Sequence, residues 1–276
     1  MSTAIITGAS RGLGLALARA LARRGWSLVI DARGESELEL AATELSALTD
    51  VTSVAGDVSD PWHREVLLAR AGAPLHLLVN NASMLKGPAS DPHAPQPELA
   101  RYPISALRRV YSVNVLAPLA LIQEAMPLMP DGAVVINVSS DAAVEPYEGW
   151  GGYGSSKAAL DQVTAILAAE QRRLRVYSVD PGDMRTRMHQ EAFPGEDISD
   201  RPPPEHSVPG LLALIEGSAP SGRYRARDLA PAAPVAPATP AAPATPAAPA
   251  TPAAPATPTA PATPAEPAAQ TVDGIA

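Results

Sequence analysis

Residues 3–25 read TAIITGASRGLGLALARALARRG, and three kinds of pattern follow one another in them. Residues 3–7, TAIIT, form a short apolar run of the kind that makes a buried strand. The run leads directly into Gly8-Ala-Ser-Arg-Gly12-Leu-Gly14. LALARALARRG then has the spacing of an amphipathic helix, which Gly25 can cap at its C-terminal end. Strand, glycine turn and helix together are the context a dinucleotide site needs. Glycines let the backbone approach a pyrophosphate, and the free N–H groups of a helix N-terminus bind it. The spacing is G-x-x-x-G-x-G, not the more general G-x-G-x-x-G, and a plain structural turn is the alternative.

Outward from this unit the strand–helix alternation continues. SLVIDA (27–32) predicts a second strand, followed by Arg33-Gly34 and a helix over ESELELAATELSAL. The end of that strand is where an adenosine ribose would lie. Asp31 there suits ribose hydroxyls and NAD, whereas Arg33 suits a 2′-phosphate and NADP, with Arg11 a second cation nearby. VTSVAG predicts a third strand, with Asp57 in the loop after it, and PWHREVLLARAG a helix with Pro61 in its first turn. LHLLVNNAS is a fourth strand ending in Asn80 and Asn81, whose side chains suit local backbone hydrogen bonds. Residues 86–103 are proline-rich and read as a surface loop. One long helix is expected over ISALRRVYSVNVLAPLALIQEAMPLM. Pro118 has no N–H, so the carbonyl of Asn114 loses its helical partner; either a water or a simple kink follows. GAVVINVSS is a strand ending at Ser139-Ser140, RVYSVD is the next, and GRYRA a last one. The irregular, charged stretch 186–210 reads as a lid leaving the same sheet edge. The sum is an α/β fold, a Rossmann-type doubly wound parallel sheet in a single domain over residues 1–228.

Residues 229–276 differ in kind. Proline stands at every third position from 231 to 267, in repeats of APATPA, which predicts a disordered, extended polyproline spacer. The whole chain has net charge −8, which gives it no bulk attraction for nucleic acid. It has no cysteine, which excludes disulfides, thiolate metal sites and cysteine nucleophiles. The start lacks a signal-peptide pattern and no apolar run reaches membrane-spanning length, so a cytoplasmic protein without membrane contact is expected.

The stretch SDAAVEPYEGWGGYGSSK (140–157) suggests chemistry. Tyr153 and Lys157 lie at i and i+4 on a helix whose apolar side carries Ala159, Leu160, Val163, Ile166 and Leu167. An ammonium beside a phenol favours the phenolate, so Lys157 is expected to lower the Tyr153 pKa towards neutrality. Of the 21 basic residues only Lys86 and Lys157 are lysine, the base whose pKa can be tuned. A surface tyrosine and lysine on an ordinary helix is the plain alternative.

TGASRGLG (7–14), GDV (56–58), NNAS (80–83), Asn114, SS (139–140), YGSSK (153–157) and PGDMRT (181–186) occur in this order. By them the chain resembles the classical short-chain dehydrogenase/reductase family over residues 1–228. The resemblance implies an oxidoreductase that interconverts a carbonyl and an alcohol by hydride transfer with a nicotinamide dinucleotide. It implies that Tyr153 passes the proton, Lys157 tunes it and binds the nicotinamide ribose, Ser140 orients the carbonyl, and Asn114 holds a relay water. It further implies a cofactor site of Gly8, Ser10, Arg11, Gly12, Leu13, Gly14, Asn81, Ala82, Pro181 and Gly182. In that site Asp57 and Val58 would meet the adenine and Thr186 the carboxamide. In NAD-type members the acid resembles position 32, here Ala32; in NADP-type members the arginine resembles position 33, here Arg33. NADP(H) is therefore expected, with NAD(H) as the alternative. Ser83 departs from the family's usual glycine, and the C-terminal part is short. A homodimer or homotetramer is implied, pairing through the helices of Asn114 and Tyr153. The substrate pocket is expected to draw on Tyr147, Trp150, Met184, Met188 and Phe193. A non-catalytic nucleotide-sensing or scaffolding relative and an NAD-dependent alcohol dehydrogenase are the alternatives, and an extended-type epimerase on nucleotide sugars is disfavoured by the spacing of the glycine turn.

Overall fold

The structure is a computed structural model and describes residues 1–85 and 97–229. The loop assignment for 86–96, Lys86 included, and the spacer assignment for the tail lie outside the described residues.

Seven strands form one parallel sheet: β1 (Thr3–Ile6), β2 (Ser27–Ala32), β3 (Val51–Ala55), β4 (Leu77–Asn80), β5 (Val134–Val138), β6 (Arg175–Asp180) and β7 (Gly222–Arg225). Their order across the sheet is β3-β2-β1-β4-β5-β6-β7. Ile5 pairs with Val29 on one side and Leu78 on the other. The apolar runs alternate across the sheet, because successive strand side chains point to opposite faces. Ala4 and Ile6 enter the core beneath α1 (Gly12–Ala22), while Ile5 enters the core on the other side, with α3 (Pro61–Ala71) and α5 (Ala117–Ala125). Both faces are thus covered, which is why the strands read as continuous hydrophobic runs. The chain starts mid-sheet, builds outward to β3, then crosses back to β4 beside β1. The gap between the β1 and β4 carboxyl ends is the switch point at which ligands collect in such sheets.

Local chemistry ends the helices where expected. Gly25 adopts φ 73° after α1, and the Trp26 N–H returns to the Leu21 carbonyl at 3.2 Å. Asp60 caps α3, its carboxylate accepting from the Trp62 N–H at 3.0 Å, with Pro61 in the first turn.

Three expectations change. The long helix over 104–129 is a composite: α4 (Ile104–Tyr111), a wide π turn over Ser112–Leu116, α5, then a short 3-10 turn. The Ala117 N–H donates to the Ser112 carbonyl, five residues back. Pro118 is the cause: with no N–H to offer Asn114, the helix widens instead of kinking sharply. Residues 186–210 are not wholly irregular, since α7 (Arg187–Ala192) forms there, its N-terminus capped by the Thr186 hydroxyl. The buried face of α6 (Gly151–Glu170) runs through Tyr153, Ser156, Lys157, Leu160, Thr164 and Leu167, whereas Ile166 is 48% exposed. The two chemical residues lie on the buried stripe rather than beside it.

Candidate active site

A cleft of about 1290 Å³ runs along the carboxyl ends of the strands. That exceeds the roughly 300–1,000 Å³ of common small-ligand pockets and leaves room for a dinucleotide with a second molecule beside it. It is lined by Gly8, Ser10, Arg11, Gly12, Leu13, Arg33, Asp57, Val58, Asn81, Ala82, Ser140, Tyr153, Lys157, Pro181, Gly182 and Thr186. Every residue expected to take part in catalysis or to hold the dinucleotide is therefore at this cleft except Gly14 and Asn114, which do not line it.

The glycine turn is tight for steric reasons. Gly8 has φ 66°, and a Cβ on it would lie 2.9 Å from the Ala82 Cα. A Cβ on Gly14 would lie 2.5 Å from the Gly8 carbonyl oxygen. Gly14 thus serves the site by letting helix and turn pack closely. The Asn81 amide fixes the turn, donating to the Thr7 carbonyl at 2.8 Å and the Gly8 carbonyl at 3.0 Å. The first turn of α1 carries no side-chain cap and no acidic residue. Its N–H groups are left for an anionic ligand, so this cradle fits a dinucleotide pyrophosphate.

Asp31 does not face the ribose position. It is 1% exposed; its Oδ1 accepts the Gly8 N–H at 2.7 Å and its Oδ2 meets His63 Nε2 at 2.9 Å. Burial raises its pKa, opposed by the bonds from His63 and Gly8. Its role is to hold the glycine turn, so of the two readings at this strand end the geometry leaves the one through Arg33. Arg33 and Arg11 line the cleft at this end, with Arg11 paired to Glu37. Asp57 is held by the Ser59 N–H at 2.9 Å, the Ser59 hydroxyl at 2.6 Å and the Arg109 guanidinium. Burial would raise its pKa, but those bonds prevail and keep it below the usual carboxylate range.

At the other end Tyr153 and Lys157 are both buried, 7% and 2% exposed. Lys157 Nζ donates to the Val138 carbonyl at 2.7 Å and lies 5.5 Å from the centre of the Tyr153 ring. The expected depression of the tyrosine pKa is not found. Burial pushes Tyr153 up to about 12, against lowering bonds from Ser140 and Ser83. Burial also pushes Lys157 down to about 8, with Asp161 acting the other way. Desolvation penalises both charged forms. Ser140 Oγ donates to Asp141 Oδ1 at 2.9 Å and accepts from the Ala142 N–H at 3.2 Å.

Asn114 is fully buried at the π turn. Its amide donates to the Met84 carbonyl at 2.9 Å and Ser156 Oγ at 3.0 Å, and its Oδ1 accepts from the Met84 N–H at 2.8 Å. It clamps the strand-β4 loop to α6. Sequence reading missed several supports. Asn80 and Asn137 bond across strands at 2.8 Å, and Asn137 reaches Thr164 at 2.8 Å. Arg223 donates to Asp161 at 2.8 Å and to the Ser140 carbonyl at 3.0 Å. Adjacent strand-end asparagines were a signal for the first; nothing local pointed to Arg223. Of the expected substrate residues, Trp150, Met184 and Met188 line the cleft. Tyr147 and Phe193 stand behind Trp150, their rings 6.2 and 5.7 Å from it.

A doubly wound parallel sheet, an uncapped glycine-turn helix and a buried tyrosine–lysine pair on one cleft define a dinucleotide-dependent oxidoreductase. Residues 2–197 match the short chain dehydrogenase family, and the chain belongs to it. It is an enzyme of that family, acting between alcohol and carbonyl groups of small molecules with a nicotinamide dinucleotide. It is 33% identical over 214 residues to L-xylo-3-hexulose reductase of Hypocrea jecorina, covering 69% of each chain. It is 34% identical over 205 residues to sepiapterin reductase of Mus musculus, covering 68% of this chain and 76% of that one. Among solved structures it resembles a short chain dehydrogenase from Shigella flexneri complexed with NADP. The TM-score is 0.71 at 26% identity, covering 82% of this chain and 97% of that one. Among the described residues no helix is long and apolar enough to cross a membrane.

Proposed function

We propose that the protein is an NADP(H)-dependent carbonyl reductase with Tyr153 as general acid and base. The observation that carries this is the cleft itself: buried Tyr153 and Lys157 line one end, Arg11 and Arg33 the other. When bound, the nicotinamide supplies or takes the hydride. In reduction Tyr153 gives its phenolic proton to the carbonyl oxygen. A phenol with a pKa of about 12 is fully protonated at neutral pH, which suits reduction. Ser140 orients the same oxygen by turning its hydroxyl proton from Asp141 to it. Lys157, at about 8, exchanges protons with water near neutral pH and returns one to the phenolate. Lys157 also binds the nicotinamide ribose, and the main-chain carbonyl of Asn114 holds a water in that relay. Gly8, Ser10, Gly12, Leu13, Asn81, Ala82, Pro181 and Gly182 bed the dinucleotide, with Asp57 and Val58 at the adenine and Thr186 at the carboxamide.

The choice of NADP(H) follows from charge. Position 32 is alanine, Asp31 is turned inward, and Arg33 lines the cleft next to Arg11. A 2′-phosphate would take over the arginine that Glu37 now holds. The NADP complex of the Shigella relative supports this choice. Titration of NADPH and NADH by nicotinamide fluorescence tests it. NADPH should bind the tighter, and Arg33→Ala should weaken it about 10- to 100-fold while leaving NADH unchanged, as for a hydrogen bond to a charged group. Equal binding of the two cofactors, or an unaltered NADPH affinity in the variant, rejects the proposal.

A further inference from the structure

The substrate end of the cleft has walls of a distinct kind. Met84, Leu85, Trp150, Met184, Met188 and Ala192 line it. Trp150 is the centre of an aromatic group. Its ring meets Tyr153 edge-on at 5.8 Å and 70°, Phe193 at 5.7 Å and 44°, and Tyr147 at 6.2 Å and 63°. Phe193 is backed in turn by His189 at 4.9 Å. Held from three sides, Trp150 offers a flat surface whose ordering is already complete before anything binds. A polyol in this place would lose water from its hydroxyls against methionine and aromatic carbon, which offers few bonds in return.

The carboxylates at this end are unequal. Asp183 has His189 at 3.8 Å and Arg201 at 3.9 Å, Glu191 has Arg187 at 2.8 Å, and Asp180 has Arg223 and Arg225 at 3.9 Å. Asp141 has neutral partners: the Ser140 hydroxyl at 2.9 Å, the Ala142 N–H at 2.8 Å and the Tyr147 hydroxyl at 2.9 Å. Its charge stands next to Ser140, hence next to the carbonyl that is to react.

We infer that this end of the site takes a neutral aryl ketone, with Trp150 as the surface for its ring and Asp141 as a filter against carboxylates. The inference rests on the reductase reading above and names its substrate class. The ring of the ligand lies against Trp150 and the thioethers, and its carbonyl points to Ser140 and Tyr153. A carboxylate on the ligand would be brought into the field of Asp141, whose hydrogen-bond partners are all neutral.

The test uses the full chain with NADPH and three ketones: acetophenone, cyclohexyl methyl ketone and 4-acetylbenzoate. kcat/KM for acetophenone should exceed that for the cyclohexyl ketone by about tenfold, the worth of a good aromatic contact. Trp150→Leu should bring that ratio close to one. 4-Acetylbenzoate should be at least about tenfold poorer than acetophenone, and Asp141→Asn should restore it relative to acetophenone. A second readout needs neither cofactor nor turnover: acetophenone should quench tryptophan emission of the wild type along a saturating curve, and Trp150→Leu should keep only the linear collisional quenching of exposed Trp62. The other two tryptophans, Trp26 and Trp62, do not line the cleft. The inference is overturned if the cyclohexyl ketone is the better substrate, if the ratio survives in Trp150→Leu, or if the carboxylate penalty survives in Asp141→Asn. If NADPH binds but no ketone is reduced, the reductase reading fails instead, and the quenching experiment still decides whether an aryl ring binds at Trp150.

Discussion

Replacing Lys157 by methionine isolates the electrostatic state of the site in one measurement. Lys157 is 2% exposed, and its ammonium has one short bond, to the Val138 carbonyl at 2.7 Å. Burial lowers its pKa from 10.5 to about 8, with Asp161 opposing. Below pH 8 the lysine is protonated in both the folded and the unfolded chain, so the fold bears the whole cost of burying the charge. As pH rises past 8 the folded lysine gives up its proton, while the unfolded one keeps it until about 10.5. In that window the unfolded state binds more protons, so stability rises with pH. At about 1.36 kcal/mol per unit, the total gain is roughly 3 kcal/mol. Lys157→Met lacks this dependence. It also leaves the Val138 carbonyl without its donor, a cost that does not vary with pH. Guanidinium unfolding of both proteins at intervals from pH 7 to 10.5 should show the wild-type stability climbing relative to the variant by roughly 3 kcal/mol. In thermal melts this is roughly 6–12 °C for a domain of this size. Tyr153, at about 12 folded against 10 unfolded, adds a slight opposite trend near the top of this window, present in both proteins and so cancelled in the difference. A difference that stays flat from pH 7 to 10.5 would refute the reasoning, because it would mean that Lys157 is solvated or paired.

Tyr153→Phe should cut kcat by about 10²- to 10⁴-fold with little change in NADPH affinity, checked by steady-state kinetics and fluorescence titration. Asp31→Ala frees the Gly8 N–H and His63, so it should lower stability by about 3 kcal/mol or more, measured by chemical unfolding. It should leave the NADPH to NADH affinity ratio unaltered, since the carboxylate faces inward; a large shift of that ratio would put Asp31 back at the ribose. Asn137→Ala strips partners from buried Asn80 and Thr164 and should destabilise by about 1–3 kcal/mol, while kcat per folded molecule stays within about twofold.

The parts of the site that were legible in the sequence are those encoded by neighbours along the chain. Gly8, Gly12 and Gly14 announce a turn because only glycine allows it, and Tyr153 and Lys157 share a face because a helix repeats every 3.6 residues. Pro118 foretold a defect at Asn114 through its missing N–H, though not that the defect would be a wide turn. The parts that were not legible join distant positions. Arg109 reaches Asp57 and Ser59 from 50 or more residues away, and Arg223 bonds the Ser140 carbonyl from 83 residues away. No local pattern marks such arginines apart from solvated ones.

The same division explains Asp31 and Tyr153. The alternation of apolar strand and amphipathic helix, together with the glycine turn, was enough to determine a doubly wound parallel sheet with a cleft at its carboxyl edge. Those patterns are set by backbone sterics and by the period of each element, both properties of the chain itself. Which way Asp31 turns, and whether Tyr153 feels Lys157 or its own burial more strongly, depended on His63 from α3, on Ser83, and on the depth of α6 in the core. Desolvation and Coulomb attraction act through space and oppose each other, so their balance was decided only when tertiary structure brought those groups together and removed the water.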